Sequence, residues 1–200
     1  MNTNQMPAGD DAGDLFRSLA DEYDLLDVPG VSAEGWHERY LYSPDEQYRY
    51  AFGRWWGDQD LATTTAWVGL NPATGDTEGR RRPTLDRCIT WSQSWHSTGL
   101  IIVNLFAYRH TDPKALKHAI DPVGPHNDTT LEAMANACER TVAAWGAHGR
   151  LLDRSSTVRS LLANLECLGT TKRGEPRHPL YVPATAARAT LPPRQVPPAQ

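Results

Sequence analysis

The stretch Trp67-Val-Gly-Leu-Asn-Pro-Ala-Thr-Gly-Asp76 decides the fold. Trp67, Val68 and Leu70 make a short apolar run suited to a buried strand. Asn71-Pro72 stops it, because proline has no amide to give to a sheet ladder. Ala73 to Asp76 are small or polar and read as a loop. A buried strand that ends in such a loop, with a helix beyond, sets polar groups at the carboxyl edge of a sheet. Ligands sit at that edge in open α/β folds. The competing reading is a plain strand exit in which Asn71 satisfies local backbone.

The segments downstream repeat the pattern. Pro83 suits a first helical turn, and Leu85, Cys88 and Ile89 share one face of the next helix, which Gly99 ends. Residues 100–103 are a second apolar strand, closing at Asn104. Strand, helix, strand at this spacing makes a parallel pair. A short helix is expected over 114–120, and a helix from Asn127 or Asp128 with Leu131, Met134, Ala135 and Cys138 inward. A third strand over 141–145 ends at Gly146; Val158, Leu161, Leu162 and Leu165 mark another helix; Cys167-Leu168 starts a fourth strand.

Upstream, residues 38–42 and 47–55 are rich in Tyr, Phe and Trp around a Ser43-Pro44-Asp45 turn, which predicts an antiparallel hairpin at a sheet edge. Phe16, Leu19, Ala20 and Tyr23 lie on one face of a helix capped by Asp14 and ending near Val28-Pro29-Gly30. Residues 1–13 are polar, and 184–200 are proline-rich; both are expected to be disordered, leaving one domain over 14–183. The expected fold is a three-layer α/β/α sandwich with a mostly parallel central sheet, plus an N-terminal helix and an edge hairpin. The strand exits at 71–76, 104–109, 146 and His178 then converge on one cleft.

Composition narrows the function. The 200 residues carry a formal charge of −4, too mild and of the wrong sign for a protein that coats nucleic acid by bulk electrostatics. Cys88, Cys138 and Cys167 are odd in number and contain no Cys-x-x-Cys pair, so reduced core thiols in a cytoplasmic protein are expected. Residues 1–13 lack the apolar stretch of a signal peptide, and no run approaches a membrane span. The histidines have no metal-ligand spacing, and there is neither a phosphate-binding Gly-x-x-x-x-Gly-Lys loop nor a Gly-x-Ser-x-Gly elbow. No metal and no cofactor are expected.

Leu-Asn-Pro-Ala-Thr-Gly-Asp (70–76), Pro-Thr-Leu-Asp-Arg-Cys (83–88), Asn-Leu-Phe-Ala-Tyr-Arg-His-Thr-Asp-Pro (104–113), Gly-Pro-His-Asn-Asp (124–128), Ala-Ala-Trp-Gly (143–146) and Arg-His-Pro-Leu-Tyr-Val-Pro (177–183) occur in order. Together they resemble a bacterial and phage family catalogued as domain of unknown function 1643, over about residues 38–183. The pattern is also similar, more distantly, to the uracil-DNA glycosylase superfamily, particularly its mismatch-specific branch. Gly69-Leu-Asn-Pro-Ala73 resembles that branch's Gly-Ile-Asn-Pro-Gly strand exit, and Asn104-Leu105 with 109–113 and His178-Pro179 resemble its later segments. Ala73 departs from the usual glycine, and Leu180-Tyr181 stand where serines come after His-Pro.

That resemblance implies recognition of a nucleobase or nucleotide, with hydrolysis of an N-glycosidic bond if the protein is an enzyme. Such a reaction needs a positioned water, stabilisation of the sugar cation and donors for the departing base. Asn71, Asp76 and His178 are the candidate catalytic residues. Asp76 has a rival reading as a loop residue bonding its own backbone, and His178 as a structural histidine. Pro72, Thr74, Asn104, Phe106 and Arg109 are the candidate base-binding set, although Asn104 also suits a strand cap and Phe106 a core position. Arg82 and Arg87 are candidate phosphate contacts, with a solvated helix face as the alternative for Arg87. A non-catalytic nucleotide or nucleic-acid binding module and a protein-interaction domain built on the N-terminal helix and hairpin are the other classes; the oligomeric state is left open.

Overall fold

The computed structural model describes residues 10–73 and 82–193. Eight strands form one sheet: β1 (Leu26–Val31), β2 (His37–Tyr42), β3 (Arg49–Trp55), β4 (Thr64–Gly69), β5 (Gly99–Asn104), β6 (Arg140–Ala143), β7 (Glu166–Cys167) and β8 (Ala189–Thr190), in the order β1-β2-β3-β5-β4-β6-β7-β8. The helices are α1 (Asp11–Tyr23), α2 (Pro83–Ser94), α3 (Asn127–Ala137) and α4 (Arg154–Leu161).

The sheet is mixed rather than mostly parallel. Its middle block β5-β4-β6-β7 is parallel, but the other four of its seven pairings are antiparallel. The hairpin causes most of this. It does not lie at the edge: β3 enters the interior of the sheet against β5, and all seven of its residues are buried. The edge belongs to β1, which falls where the sequence pattern predicts the end of the first helix. Pro29 and Gly30 are tolerated there because an edge strand has one ladder to complete instead of two.

Two apolar layers cover the two faces. Phe16 and Leu19 of α1, Leu131 and Met134 of α3 and Val158 of α4 pack with Val68, Ile101, Val103 and Ala143 on one side. Leu85, Cys88, Ile89 and Trp91 of α2 pack with Phe52, Trp67, Leu100 and Val142 on the other. Alternate residues of each strand serve opposite layers, as the pleat requires. α1 begins at Asp11, earlier than expected, because Asp10 rather than Asp14 caps it by accepting from Gly13 N at 2.9 Å. In the proline-rich tail, β8 pairs with β7 and Leu191 is buried. Among the described residues, no helix is long and apolar enough to cross a membrane.

The β2–β3 ladder carries one irregularity. Leu41 pairs with Ala51 but Tyr42 pairs with Arg49, so Tyr50 is an extra residue in β3. Such a bulge reverses the facing of the residues beyond it. Tyr50 and Ala51 both join the layer under α1 and α3, whereas Arg49 turns to the α2 face beside Phe52.

Candidate functional site

The carboxyl ends of the parallel strands open onto a cleft of about 1020 Å³ on the α2 face. Phe52, Trp67, Ile102 and Ala144 form its sheet side, and Leu85 and Cys88 its helix side. Asn71 after β4, Asn104 at the end of β5, Gly146 after β6 and His178 after β7 all line it. Arg49 joins them because β3 runs antiparallel to β5, so the start of β3 lies at the end of β5; Arg49 N donates to Ala107 O at 2.9 Å.

The loops that carry these groups are locked to one another. Leu105 N donates to Gly69 O and Phe106 N to Leu70 O, each at 3.0 Å, and His110 N donates to Pro72 O at the same distance. Asn71 Nδ2 donates to His110 O at 2.7 Å and to Pro72 O at 3.2 Å. The Asn71 amide therefore fastens the β4 exit to the β5 exit, and its donor end is committed to backbone.

Asn104 is 3% exposed. Its backbone carbonyl accepts from Asn127 Nδ2 at 3.1 Å, but its own Nδ2 has no hydrogen-bond partner among the described residues. A buried amide donor left in this condition is costly unless an acceptor arrives. His178 begins the 3-10 turn Pro179–Tyr181, and its Nδ1 accepts from Leu180 N at 3.3 Å. That bond leaves Nε2 to carry the proton of the neutral ring. Burial pushes the His178 pKa below the ordinary histidine value, favouring that neutral form.

Trp145 is held in the cleft wall by Glu175, whose Oε2 accepts from the indole at 2.9 Å and whose Oε1 accepts from Ser155 Oγ at 3.1 Å. Glu175 itself is fully buried and is not among the cleft-lining residues. The described lining carries Arg49, Arg82 and Arg177, with His110, His148 and His178, and no aspartate or glutamate. Cys88 also lines the cleft, but burial pushes its thiol far above the ordinary value, which leaves it a poor nucleophile. No group of three or more His, Cys, Asp or Glu among the described residues is placed to hold a metal ion.

The remaining candidates separate from the cleft. Phe106 is fully buried in the layer under α1, α3 and α4, because the chain beyond Asn104 keeps pairing with the β4 exit and turns inward. Arg109 stands over the Tyr42 ring at 4.7 Å and donates to Glu46 O at 2.7 Å, which makes it a strut for the β2–β3 turn. Arg87 lies over Trp91 at 4.4 Å and donates to Val182 O, tying α2 to the 179–182 segment. Pro72 is buried beneath the two exits and supplies their shared acceptor. Arg82 does line the cleft. Thr74 and Asp76 lie outside the described residues.

Sequence reasoning missed Arg49, Trp145 and Arg177. Arg49 has no local signal, since only the bulge at Tyr50 turns it inward. Arg177 sits beside His178 within a segment already singled out, and the adjacency was the available clue.

No curated protein and no solved structure matches the chain. The family model described as "Protein of unknown function (DUF1643)" matches residues 49–180, from the first residue of β3 to the 3-10 turn behind His178. That span is well over half of the sequence and contains every described residue of the cleft except Tyr181, and the chain belongs to this family.

Proposed function

We propose that the cleft recognises a nucleobase or nucleotide. The observation that carries this reading is the pairing of two chemistries in one hollow. Aromatic walls from Phe52, Trp67 and Trp145 stand beside a described lining that holds three arginines, three histidines and no carboxylate. Planar apolar surface with a few polar groups, and cationic side chains for an anionic end, suit a base joined to phosphate. The unpartnered Asn104 Nδ2 adds a donor that a base carbonyl would satisfy. The parallel block with α2 on one face and α1, α3 and α4 on the other is compatible with a uracil-DNA glycosylase-like arrangement, to which we attribute the base-handling role.

The reaction proposed for this site is hydrolysis of an N-glycosidic bond. Water would add to the sugar carbon, the carbon–nitrogen bond would break, and the base would leave with a proton. Asn71, through its carbonyl oxygen, and Asp76 are the candidates to position and activate the water; His178 Nε2 is the candidate donor to the base. Binding without turnover is the second reading. It is favoured by the commitment of the Asn71 amide to His110 O and Pro72 O, and by the lack of any carboxylate in the described lining.

The test measures thermal stabilisation by free bases, nucleosides and nucleotides, then base release from nucleotides and from uracil- and mismatch-containing DNA. Stabilisation abolished by Asn104→Ala is the expected result. Base release that is lost in Asp76→Ala selects the hydrolase; stabilisation without release selects the binding module. Absence of any stabilisation across the panel refutes the nucleotide reading.

A further inference from the structure

The charge of this chain is divided unevenly. Residues 1–34 hold eight carboxylates and one arginine, a formal −7; the whole chain is −4, so residues 35–200 hold +3. Most of the acidic share lies on α1 and β1, at the β1 end of the strand order. The segment that follows β7, near the other end, reads Thr170-Thr-Lys-Arg-Gly-Glu-Pro-Arg177. It folds back on itself: Thr171 N donates to Glu175 O at 2.7 Å and Gly174 N to Thr171 O at 3.0 Å. Lys172 and Arg173 stand at the tip of this turn and are exposed, as is Arg177. Glu175, its one acid, points inward to Trp145 and Ser155 and has no exposure. Arg177 is anchored through Nε, which donates to Thr170 O at 3.1 Å. Among the described residues, no carboxylate forms an ion pair with Lys172, Arg173 or Arg177.

The same turn borders the cleft. Thr171 and Arg177 belong to the cleft wall, and Tyr181 closes the segment on it. Tyr181 is 77% exposed, and its ring lies 5.7 Å from that of His178. A large aromatic ring left in water at the mouth of a cleft is a platform on which a planar group can stack.

We propose that the rim formed by residues 170–181 binds a single-stranded nucleic acid, with Lys172, Arg173 and Arg177 meeting backbone phosphates and Tyr181 stacking on a base next to the one held in the cleft. The assignment deepens, and rests on, the reading of the cleft as a nucleobase site. Exposed cations interleaved with an aromatic ring hold a strand without sequence preference. A duplex keeps its bases stacked and paired, so it would have to be opened before it offered one base to the cleft and another to Tyr181. The acidic β1 end repels the same polyanion and confines it to the opposite rim.

The test is fluorescence anisotropy of the full chain with a labelled single-stranded oligonucleotide of about ten nucleotides, a length that one such groove can span. The competitors are nucleoside 5′-monophosphates, a duplex of the same sequence and heparin, and thermal stabilisation by nucleosides and monophosphates is measured in parallel. The strand should bind about tenfold or more tightly than its monophosphate at low salt, and its affinity should fall as salt rises. Lys172→Gln combined with Arg173→Gln should flatten the log–log salt dependence by about 1.4, the effect of two phosphate contacts on a single strand. It should leave stabilisation by the monophosphate unchanged, since neither residue is in the cleft wall. Tyr181→Ala should weaken the strand by about fivefold or more. A strand bound no better than its monophosphate would overturn the rim. So would an unaltered salt slope in the double variant, full affinity in Tyr181→Ala, or duplex or heparin binding as tight as that of the single strand. A strand bound through Lys172 and Arg173, with no stabilisation by any nucleoside or nucleotide, would support the rim and overturn the cleft reading. Stabilisation by a monophosphate without strand binding would do the reverse. No binding of any probe would overturn both.

Discussion

The carboxamide of Asn104 lies across Gly69, its partner in the β4–β5 ladder: a Cβ built on Gly69 would stand 2.6 Å from Asn104 Oδ1. The absence of a side chain at 69 is thus what lets Asn104 occupy the mouth of the cleft. Gly69→Ala should cost about 1–3 kcal/mol through overpacking and displace the amide. Asn104→Ala removes the obstacle, so the double variant should be more stable than the sum of the single changes allows, with a coupling of about 0.5–3 kcal/mol. Urea denaturation of the four proteins measures it, and simple additivity would refute the contact.

Glu175 orients Trp145. With no exposure of its own, it accepts from the Trp145 indole and from Ser155, and Arg159 stands 4.0 Å away. Glu175→Ala strips the buried Trp145 indole and the buried Ser155 hydroxyl of their acceptor and should destabilise by about 2–6 kcal/mol. Glu175→Gln keeps one acceptor for the indole and should cost less. Near-ultraviolet circular dichroism should report loss of the fixed tryptophan environment in the alanine variant alone. An alanine variant as stable as the parent would remove Glu175 from this role.

Much of this arrangement is legible in the sequence, and the illegible parts have identifiable causes. Asn71 and Asn104 are readable because each follows an apolar run that a polar residue ends, and His178 because it lies in the Arg-His-Pro segment that follows a turn; those local signals survive folding. α2 is readable from Pro83 and the spacing of Leu85, Cys88 and Ile89. β1 is not, since Pro29 and Gly30 speak against a strand until the edge position that tolerates them is known. Strand order is hidden for another reason: pairing β3 with β5 is a long-range choice, and it turns a predicted edge hairpin into sheet interior. Phe106 and Arg109 suggest cleft positions because they lie just past a strand end. The ladder continues past Asn104, however, and carries the first into the core and the second to the β2–β3 turn.

Arg109 separates structure from ligand binding. It contributes a cation–π contact with Tyr42 and a hydrogen bond to Glu46 O, together about 1–2 kcal/mol. Arg109→Ala should lower stability by that amount in chemical denaturation. Any nucleotide affinity of the cleft should change by less than about twofold, because Arg109 is not in its wall. A large loss of affinity with unchanged stability would return Arg109 to the site.

His178 makes stability depend on acidity. Its folded-state pKa is depressed by burial, so between that value and the ordinary histidine pKa of about 6.5 the unfolded chain binds more protons than the folded one. Its contribution is then fully present above about pH 6.5 and is lost as pH falls through the folded pKa. Protonation has a second consequence, because an imidazolium cannot accept the Leu180 N–H that Nδ1 now receives. The 3-10 turn Pro179–Tyr181 at the cleft rim should loosen in the same range. Urea midpoints measured from pH 7.5 to 5 should fall, and the part of the slope due to this residue should vanish in His178→Gln. The His178 Cε1 proton resonance should titrate below the free-histidine midpoint. A midpoint at or above 6.5, or an unaltered slope in the glutamine variant, would mean that the ring is not held neutral at the cleft.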